Sequence, residues 1–281
     1  MKQRVLVTGT VGFLGKNVAE FLERNGLDVL PFDQKTGQDL LEEKDLEKAL
    51  SKVDFVCHLA AVGDVYLAAE NPKEAAIAGV AGTANLAKTS QKYKIKKIIY
   101  ASTWEVYGEP KYQPIDEKHP ANPDHPYSIS KYAGELMLKS KLFNVPWTIL
   151  RLGTSYGPYM RKNAVIPAFI NLAKAGKTIK IQGTGKQTRA FINANDVANA
   201  FYLAIKSNVK NEIFNITGTE LVSILDLAKL ITQYHPTKIE FTEARTADVP
   251  SSLLTSEKAK KMLTWEAKIP FKKGLEELLK L

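Results

Sequence analysis

Short apolar runs alternate with segments of helical period through the first half of the chain. Residues 5–7 read as a strand, and a helix follows from about residue 12 with Leu14, Val18, Phe21 and Leu22 on one face and Gly26 as its stop. Residues 29–32 and 55–59 read as further strands, with a short helix around Leu46, Ala49 and Leu50 between them. Pro72 opens a long helix reaching about Tyr93, because proline suits a first helical turn. Residues 98–101 read as a strand, 127–142 as a helix and 147–152 as a strand. Near-continuous apolar strands separated by helices predict an α/β fold, a doubly wound parallel sheet covered on both faces.

The pattern loosens after Gly157-Pro158. A helix over 166–175, a strand over 179–181, a helix over 196–207 and a strand over 213–216 come next. Helices at 223–234, 256–263 and 271–281 close the chain. The expected division is a dinucleotide-binding domain of residues 1–157 and 193–217, with a small mixed α/β lobe of residues 158–192 and 218–281. Such a lobe belongs over the carboxyl ends of the strands, where ligands bind in open α/β sheets.

Composition narrows the class. The 281 residues are 44% apolar and 25% charged, enough for a substantial core without staples. One cysteine, Cys57, excludes an internal disulfide and sits in an apolar run as a buried thiol. No His/Cys spacing resembles a metal site. No signal peptide opens the chain and no segment approaches the ~18 apolar residues of a membrane span, so a cytoplasmic protein is expected. The net charge of +9 is spread out, without aromatic residues interleaved in a basic stripe. That predicts attraction for phosphorylated ligands, not nucleic acid or membrane binding.

Gly9, Gly12 and Gly15 stand between the first strand and the first helix. Glycine permits the tight turn and lets a pyrophosphate approach the backbone, and the helix N-terminus offers that anion its amides and partial positive charge. Asp33, at the end of the second strand, suits hydrogen bonds from ribose hydroxyls and would repel a 2′-phosphate, which favours NAD over NADP. Tyr127 and Lys131 lie one helical turn apart, with Cβ atoms about 6 Å from each other. A neighbouring ammonium and a positive nicotinamide both favour phenolate, so Tyr127 is expected to act as general base. The 98–101 strand ends in Ser102-Thr103-Trp104-Glu105, and a strand-end hydroxyl there can hold the same substrate oxygen.

With these motifs in order, the chain resembles an extended short-chain dehydrogenase/reductase of the NAD-dependent nucleotide-sugar epimerase/dehydratase family. The match is carried by the three glycines, Asp33, Asp39-Leu40, His58-Leu59-Ala60-Ala61, Gly82-Thr83-x-Asn85-Leu86, Thr103 with Val106-Tyr107-Gly108, and Tyr127/Lys131. It continues through Arg151, Tyr156-Gly157-Pro158, Gln187-Thr188-Arg189-Ala190-Phe191 and Asp196-Val197-Ala198. The resemblance implies that Phe13 and Leu14 join the glycine turn at the cofactor, Asp39 and Leu40 lie at the adenine, and Leu59, Ala60 and Ala61 flank its ribose and pyrophosphate. It implies Lys131 on the nicotinamide ribose, Thr103 on the reacting hydroxyl, and Thr154, Arg189 and Arg245 toward the substrate diphosphate, for which a guanidinium fork is well suited. Two positions depart from the family, which commonly has Asn where Thr154 and Gly79 stand.

The implied reaction is oxidation at a sugar carbon, usually C4, followed by a second step. Trp104 takes the place of the acid that protonates the leaving hydroxyl in sugar 4,6-dehydratases, which disfavours dehydration. Glu105 remains as a catalytic candidate, and Thr-x-Glu also occurs in UDP-glucuronate decarboxylases. Epimerases of the family usually carry smaller, non-acidic residues at that position, yet C4 epimerisation of a nucleoside-diphosphate hexose, the commonest activity of the family, comes first, with decarboxylation and then dehydration or reduction as alternatives. A non-catalytic NAD-binding regulator is the alternative outside enzymology, opposed by the retained Tyr127/Lys131 pair. Family members pair through helices near residues 83–94 and 127–142, so a homodimer is implied.

Overall fold

The computed structural model describes residues 2–243 and 253–280. In chain order its first half holds β1 (Arg4–Thr8), α1 (Phe13–Arg24), β2 (Asp28–Phe32), α2 (Glu43–Leu50), β3 (Phe55–His58), α3 (Val65–Glu70), α4 (Pro72–Ala76), α5 (Gly82–Lys92), β4 (Lys97–Thr103), α6 (Pro126–Lys139) and β5 (Trp147–Leu152). The second half holds β6 (Thr154–Tyr156), α7 (Val165–Lys174), β7 (Ile179–Gln182), β8 (Thr188–Asn193), α8 (Ala194–Lys206), β9 (Glu212–Ile216), β10 (Leu221–Ser223), α9 (Ile224–Tyr234), β11 (Ile239–Thr242), α10 (Glu257–Leu263) and α11 (Phe271–Leu279).

Six strands form one sheet in the order β2-β1-β3-β4-β5-β9, every pair parallel. Both faces are apolar because both are covered. Val5 and Val7 point to a core shared with Val18 and Leu22 of α1 and Phe201 of α8. Leu6, between them, points to the opposite core with Leu46 of α2, Leu86 of α5 and Leu138 of α6. The chain winds outward from β1 to β2, then crosses back over β1 to β3. A crevice consequently opens outside the carboxyl ends of β1 and β3, the ligand position of doubly wound sheets.

Two small sheets stand past the carboxyl end of β5, since β6 begins one residue beyond it. They are β10-β8-β6 and β11-β7. A separate apolar cluster, with Tyr156, Phe169, Ile181, Phe191, Leu227 and Phe271, joins them to α7, α9 and α11.

The expected strands and helices of the main sheet are present, most of their ends shifting by a few residues. The long helix from Pro72 is not continuous: a π-helical turn at Ile77–Ala81 separates α4 from α5. The helix expected to reach residue 142 ends at Lys139, where Ser140 turns extended (ψ 129°). Strands β6, β8, β10 and β11 and helix α3 are additions to the reading from sequence. Cys57 is fully buried, and burial pushes its thiol pKa up, as expected of an inert core residue. Among the described residues no helix is long and apolar enough to cross a membrane, and no cluster of acidic, histidine or cysteine side chains has the makings of a metal site.

Candidate active site

The crevice is built by three loops. At the first, Gly9 takes φ +79° and donates its N–H to Phe32 O at 2.8 Å. A Cβ on Gly9 would lie 2.8 Å from Ala60 N, and one on Gly15 only 1.9 Å from Gly9 O. Both glycines are therefore required for the turn, the helix and the β3 loop to close on one another. Gly12 is the N-cap of α1 and no side chain caps that end, so Phe13 and Leu14 open a helix whose N-terminus is left to an anion.

Asp33 follows β2 and caps the short turn Gln34–Thr36. Its Oδ2 accepts the Val11 N–H at 2.9 Å and its Oδ1 the Lys35 N–H at 3.0 Å, which places the carboxylate against the glycine turn. Asp39 accepts the Leu41 N–H, and buried Leu40 packs beside Gly82 of α5.

The third loop hangs on one hydroxyl. Leu59 and Ala60 each donate an N–H to Thr8 Oγ1 at 3.1 Å, and half-buried Ala61 follows. Thr8 Oγ1 lies 2.8 Å from His58 Nδ1, His58 Nε2 lies 3.0 Å from Thr83 Oγ1, and Thr83 donates to Gly79 O at 2.7 Å. The Thr83 hydroxyl spends its proton on Gly79, so Nε2 must donate and Nδ1 must accept. Burial, with the charge of Lys131 adding to it, holds His58 down to about 3, so the ring is a neutral relay of hydrogen bonds. Gly79 also explains one departure from the family. A Cβ there would lie 2.9 Å from the Ser130 side chain of α6, so a larger residue would push the two helices apart.

The structure brings the catalytic candidates together at the next loop. Thr103 ends β4 and caps the turn Trp104–Tyr107, its Oγ1 accepting the Glu105 N–H at 3.3 Å. Tyr127 stands in the first turn of α6, where the nearby Thr103 hydroxyl favours its phenolate. Lys131, one turn on, is buried and sets its ammonium 4.6 Å from the centre of the Tyr100 ring, which itself packs on His58. The lysine thus reaches from the helix toward the crevice.

The electrostatics differ from the expectation in one respect. The protein's own charges do not lower the Tyr127 pKa. Burial raises it, Glu105 adds to the rise, and Thr103 opposes. Lys131 bears the same desolvation and is held down to about 7, with Glu135 pulling it up. Glu105 is pushed up to about 7 by burial, with Arg189 lowering it and Asp124 raising it.

On the substrate side, Trp104, Thr154, Arg189, Ala190, Thr217 and Leu254 line one cavity. Thr154 and Arg189 are therefore neighbours, and the Arg189 guanidinium donates to Thr188 O at 2.9 Å. Arg245 lies outside the described residues. Sequence reasoning missed Thr217 and Leu254 in this wall, and also His125, Asp64 and Arg161 nearby. His125 carries a signal, since His-Pro followed by Ser marks a capped helix start. The others come from loops without period.

Comparison with known proteins shows the family and the fold. The model of the NAD dependent epimerase/dehydratase family matches residues 5–217. A putative UDP-glucose 4-epimerase of Methanocaldococcus jannaschii is 34% identical, over 98% of this chain and 97% of its own. A UDP-N-acetyl-alpha-D-glucosaminuronate decarboxylase of Bacillus cytotoxicus is 30% identical, over 99% and 97%. The crystal structure of Thermotoga maritima UDP-glucose 4-epimerase with UDP-glucose superposes with a TM-score of 0.93 at 29% identity, covering 99% of this chain and 98% of that one.

Proposed function

The chain belongs to the NAD-dependent epimerase/dehydratase family with NAD as its cofactor, and from that premise we propose that it is a nucleotide-sugar 4-epimerase. Its substrate is a nucleoside-diphosphate hexose, inverted at C4 through a transient 4-keto sugar. The observation that carries this reading is the grouping of Thr103, Tyr127 and Lys131 beside a glycine turn whose shape leaves no room for side chains.

The residues present fit the dinucleotide. The uncapped N-terminus of α1 suits its pyrophosphate, Asp33 the adenosine ribose, Asp39 and Leu40 the adenine, and Leu59 to Ala61 the opposite wall. Lys131 is assigned to the nicotinamide ribose. NAD, when bound, supplies the hydride acceptor and later the donor. Thr103 holds the C4 hydroxyl while the Tyr127 phenolate removes its proton, and the phenol returns it when the ketone is reduced on its other face. Burial and Glu105 work against that phenolate, so the positive charge that stabilises it would come from the bound nicotinamide. Thr154, Arg189 and Arg245 hold the diphosphate.

Glu105 supports a second reading, decarboxylation of a nucleotide-linked uronic acid, because a buried carboxyl titrating near neutrality can exchange a proton with the keto intermediate. The same relatives include such a decarboxylase. Dehydration has less support, since Trp104 stands where a proton donor is needed.

We also assign residues 158–192 and 218–281 to the substrate lobe. Exposed Ile129 and Leu136 on α6, beside Tyr66, Leu67 and Ile77, favour a second copy of the chain across that face. The deciding experiment is incubation with a panel of nucleotide sugars, with products resolved by mass and NMR. Unchanged mass with inverted C4 supports the epimerase, loss of carbon dioxide supports the decarboxylase, and no turnover of any sugar overturns both.

A further inference from the structure

The helix that carries Tyr127 and Lys131 begins at a histidine. His125 is its N-cap, extended at φ −139° and ψ 158°, with Pro126 next and its ring Nδ1 accepting the Ser128 N–H at 3.3 Å. Ser, Thr, Asp or Asn normally does this work with one short side-chain oxygen. A histidine has a second ring nitrogen. Because Nδ1 accepts, the proton of the neutral ring sits on Nε2.

Among the described residues that nitrogen is nearest to one carboxyl. Nε2 lies 3.5 Å from Glu105 Oε2, an oxygen closed off from water that has no hydrogen-bond partner among the described residues. The imidazole is nearly parallel to the Tyr127 ring, with centres 6.2 Å apart and planes 9° apart. Glu105 is fixed from its other side, its N–H donating to Thr103 Oγ1. The cap, the carboxyl, the phenol and the Thr103 hydroxyl therefore form one cluster.

We propose that His125 is a positioning residue for Glu105: the cap locks the ring so that Nε2–H faces the Glu105 carboxyl, and the pair shares its proton and charge beside Tyr127. No bond forms to carbon and nothing is oxidised. When Glu105 gives up its proton, His125 donates to the carboxylate that remains; when Glu105 takes a proton, Nε2 keeps its own. The catalytic use of Glu105 rests on the functional reading above, but the dyad itself does not.

Among the described residues the charged groups around the pair are few. Glu105 faces Arg189, Asp124 and Tyr127, and His125 faces Asp124, whose Oδ1 lies 3.9 Å from Nε2. Burial lowers the His125 pKa and Asp124 pulls it back, so the ring is neutral at pH 7 and acts as a donor. Removing that donor strands a buried carboxylate, so the titration of Glu105 must move up.

The test uses the NAD-loaded protein labelled with carbon-13 at the glutamate carboxyls, with the Glu105 signal identified as the one missing in Glu105→Gln. His125→Asn keeps a good helix cap and loses the ring N–H, while His125→Phe keeps a stacked ring and loses both nitrogens. In both variants the Glu105 midpoint is expected to rise by about half a pH unit or more, a threefold or larger change in proton affinity. An unmoved midpoint in both variants overturns the dyad. The pH profile of kcat decides the other question. If the midpoint moves and the profile does not, the dyad stands and Glu105 leaves the chemistry.

Discussion

Tyr127 and Lys131 are displaced in opposite senses by one cause. Burial penalises whichever form is charged, so the phenol is pushed up and the ammonium is held down to about 7. Tyr127→Phe keeps the ring and removes the proton acceptor, and turnover should fall by roughly 10²-fold or more while NAD binding persists. A rate within a factor of two of wild type, roughly the scatter of such assays, would take Tyr127 out of the proton transfer. Glu105 bears the same penalty, and here it becomes a stability effect. Its folded pKa of about 7 lies above the ordinary 4.5, so the unfolded chain ionises first as pH rises between the two. Folding stability falls across that window and stays lower above it, by on the order of 3 kcal/mol at most. Glu105→Gln carries no charge at any pH. Its Tm advantage over wild type should be present at pH 8 and should vanish near pH 4, as thermal unfolding would show. These residues were legible because spacing alone exposes them: Tyr127 and Lys131 by one helical turn, and Thr103 by its place at a strand end. His125 was passed over although Pro126 and Ser128 mark the helix start behind it, because histidine is not among the usual cap residues.

Glu135 ties together the three elements that hold the site. From α6 it accepts the Arg151 Nε–H at 2.9 Å and Nη2–H at 2.7 Å from β5, and the Ser102 hydroxyl at 2.6 Å from β4, next to Thr103. Both members of the ion pair are buried, and the guanidinium also lies 4.7 Å from the centre of the Tyr107 ring. Glu135→Ala leaves a buried cation without its counter-charge and should lower stability by about 3–5 kcal/mol in urea unfolding. The double replacement Glu135→Leu with Arg151→Met should recover most of that loss, since an apolar pair of similar volume replaces a desolvated one. Equal losses in the single and double variants would mean that the brace is mere packing. At this scale the sequence was readable wherever burial on both faces left an apolar run within a strand, as in β1, β3, β4 and β5. It was not readable for β6 and β10, three residues each, which are too short for alternation to show. The π-helical turn at Ile77–Ala81 also escaped: it lies where Gly79 comes close to Ser130 of α6, a long-range approach that no local pattern records.

Across the whole molecule, one segment connects the small sheets back to both walls of the cofactor crevice. It follows β6 and turns at Tyr159, in the left-handed region at φ +67°. The Asn17 amide of α1 donates to Pro158 O at 3.0 Å, the Tyr159 hydroxyl donates to Glu20 Oε1 at 3.0 Å, and the Lys16 ammonium lies 3.9 Å from the centre of the Tyr159 ring. Those contacts hold the helix that starts at the glycine turn. On the other wall, the Arg161 guanidinium pairs with buried Asp64, which caps α3 just past the β3 loop. If NAD lies between these walls, as proposed above, this segment touches both of them beside it. The glycine turn and the β3 loop were legible as separate motifs, whereas this strap depends on long-range partners that only folding brings together. Arg161 is half exposed and its contribution is correspondingly modest. Arg161→Ala should speed the loss of NAD by about fivefold, the range of a partly solvated ion pair, without loosening the main sheet. Dialysis followed by measurement of retained nicotinamide, beside hydrogen exchange on β1 and β3, would read both effects. Retention equal to that of wild type would show that the walls hold NAD without the strap, and faster exchange in β1 and β3 would show that Arg161 supports the fold and not the closure.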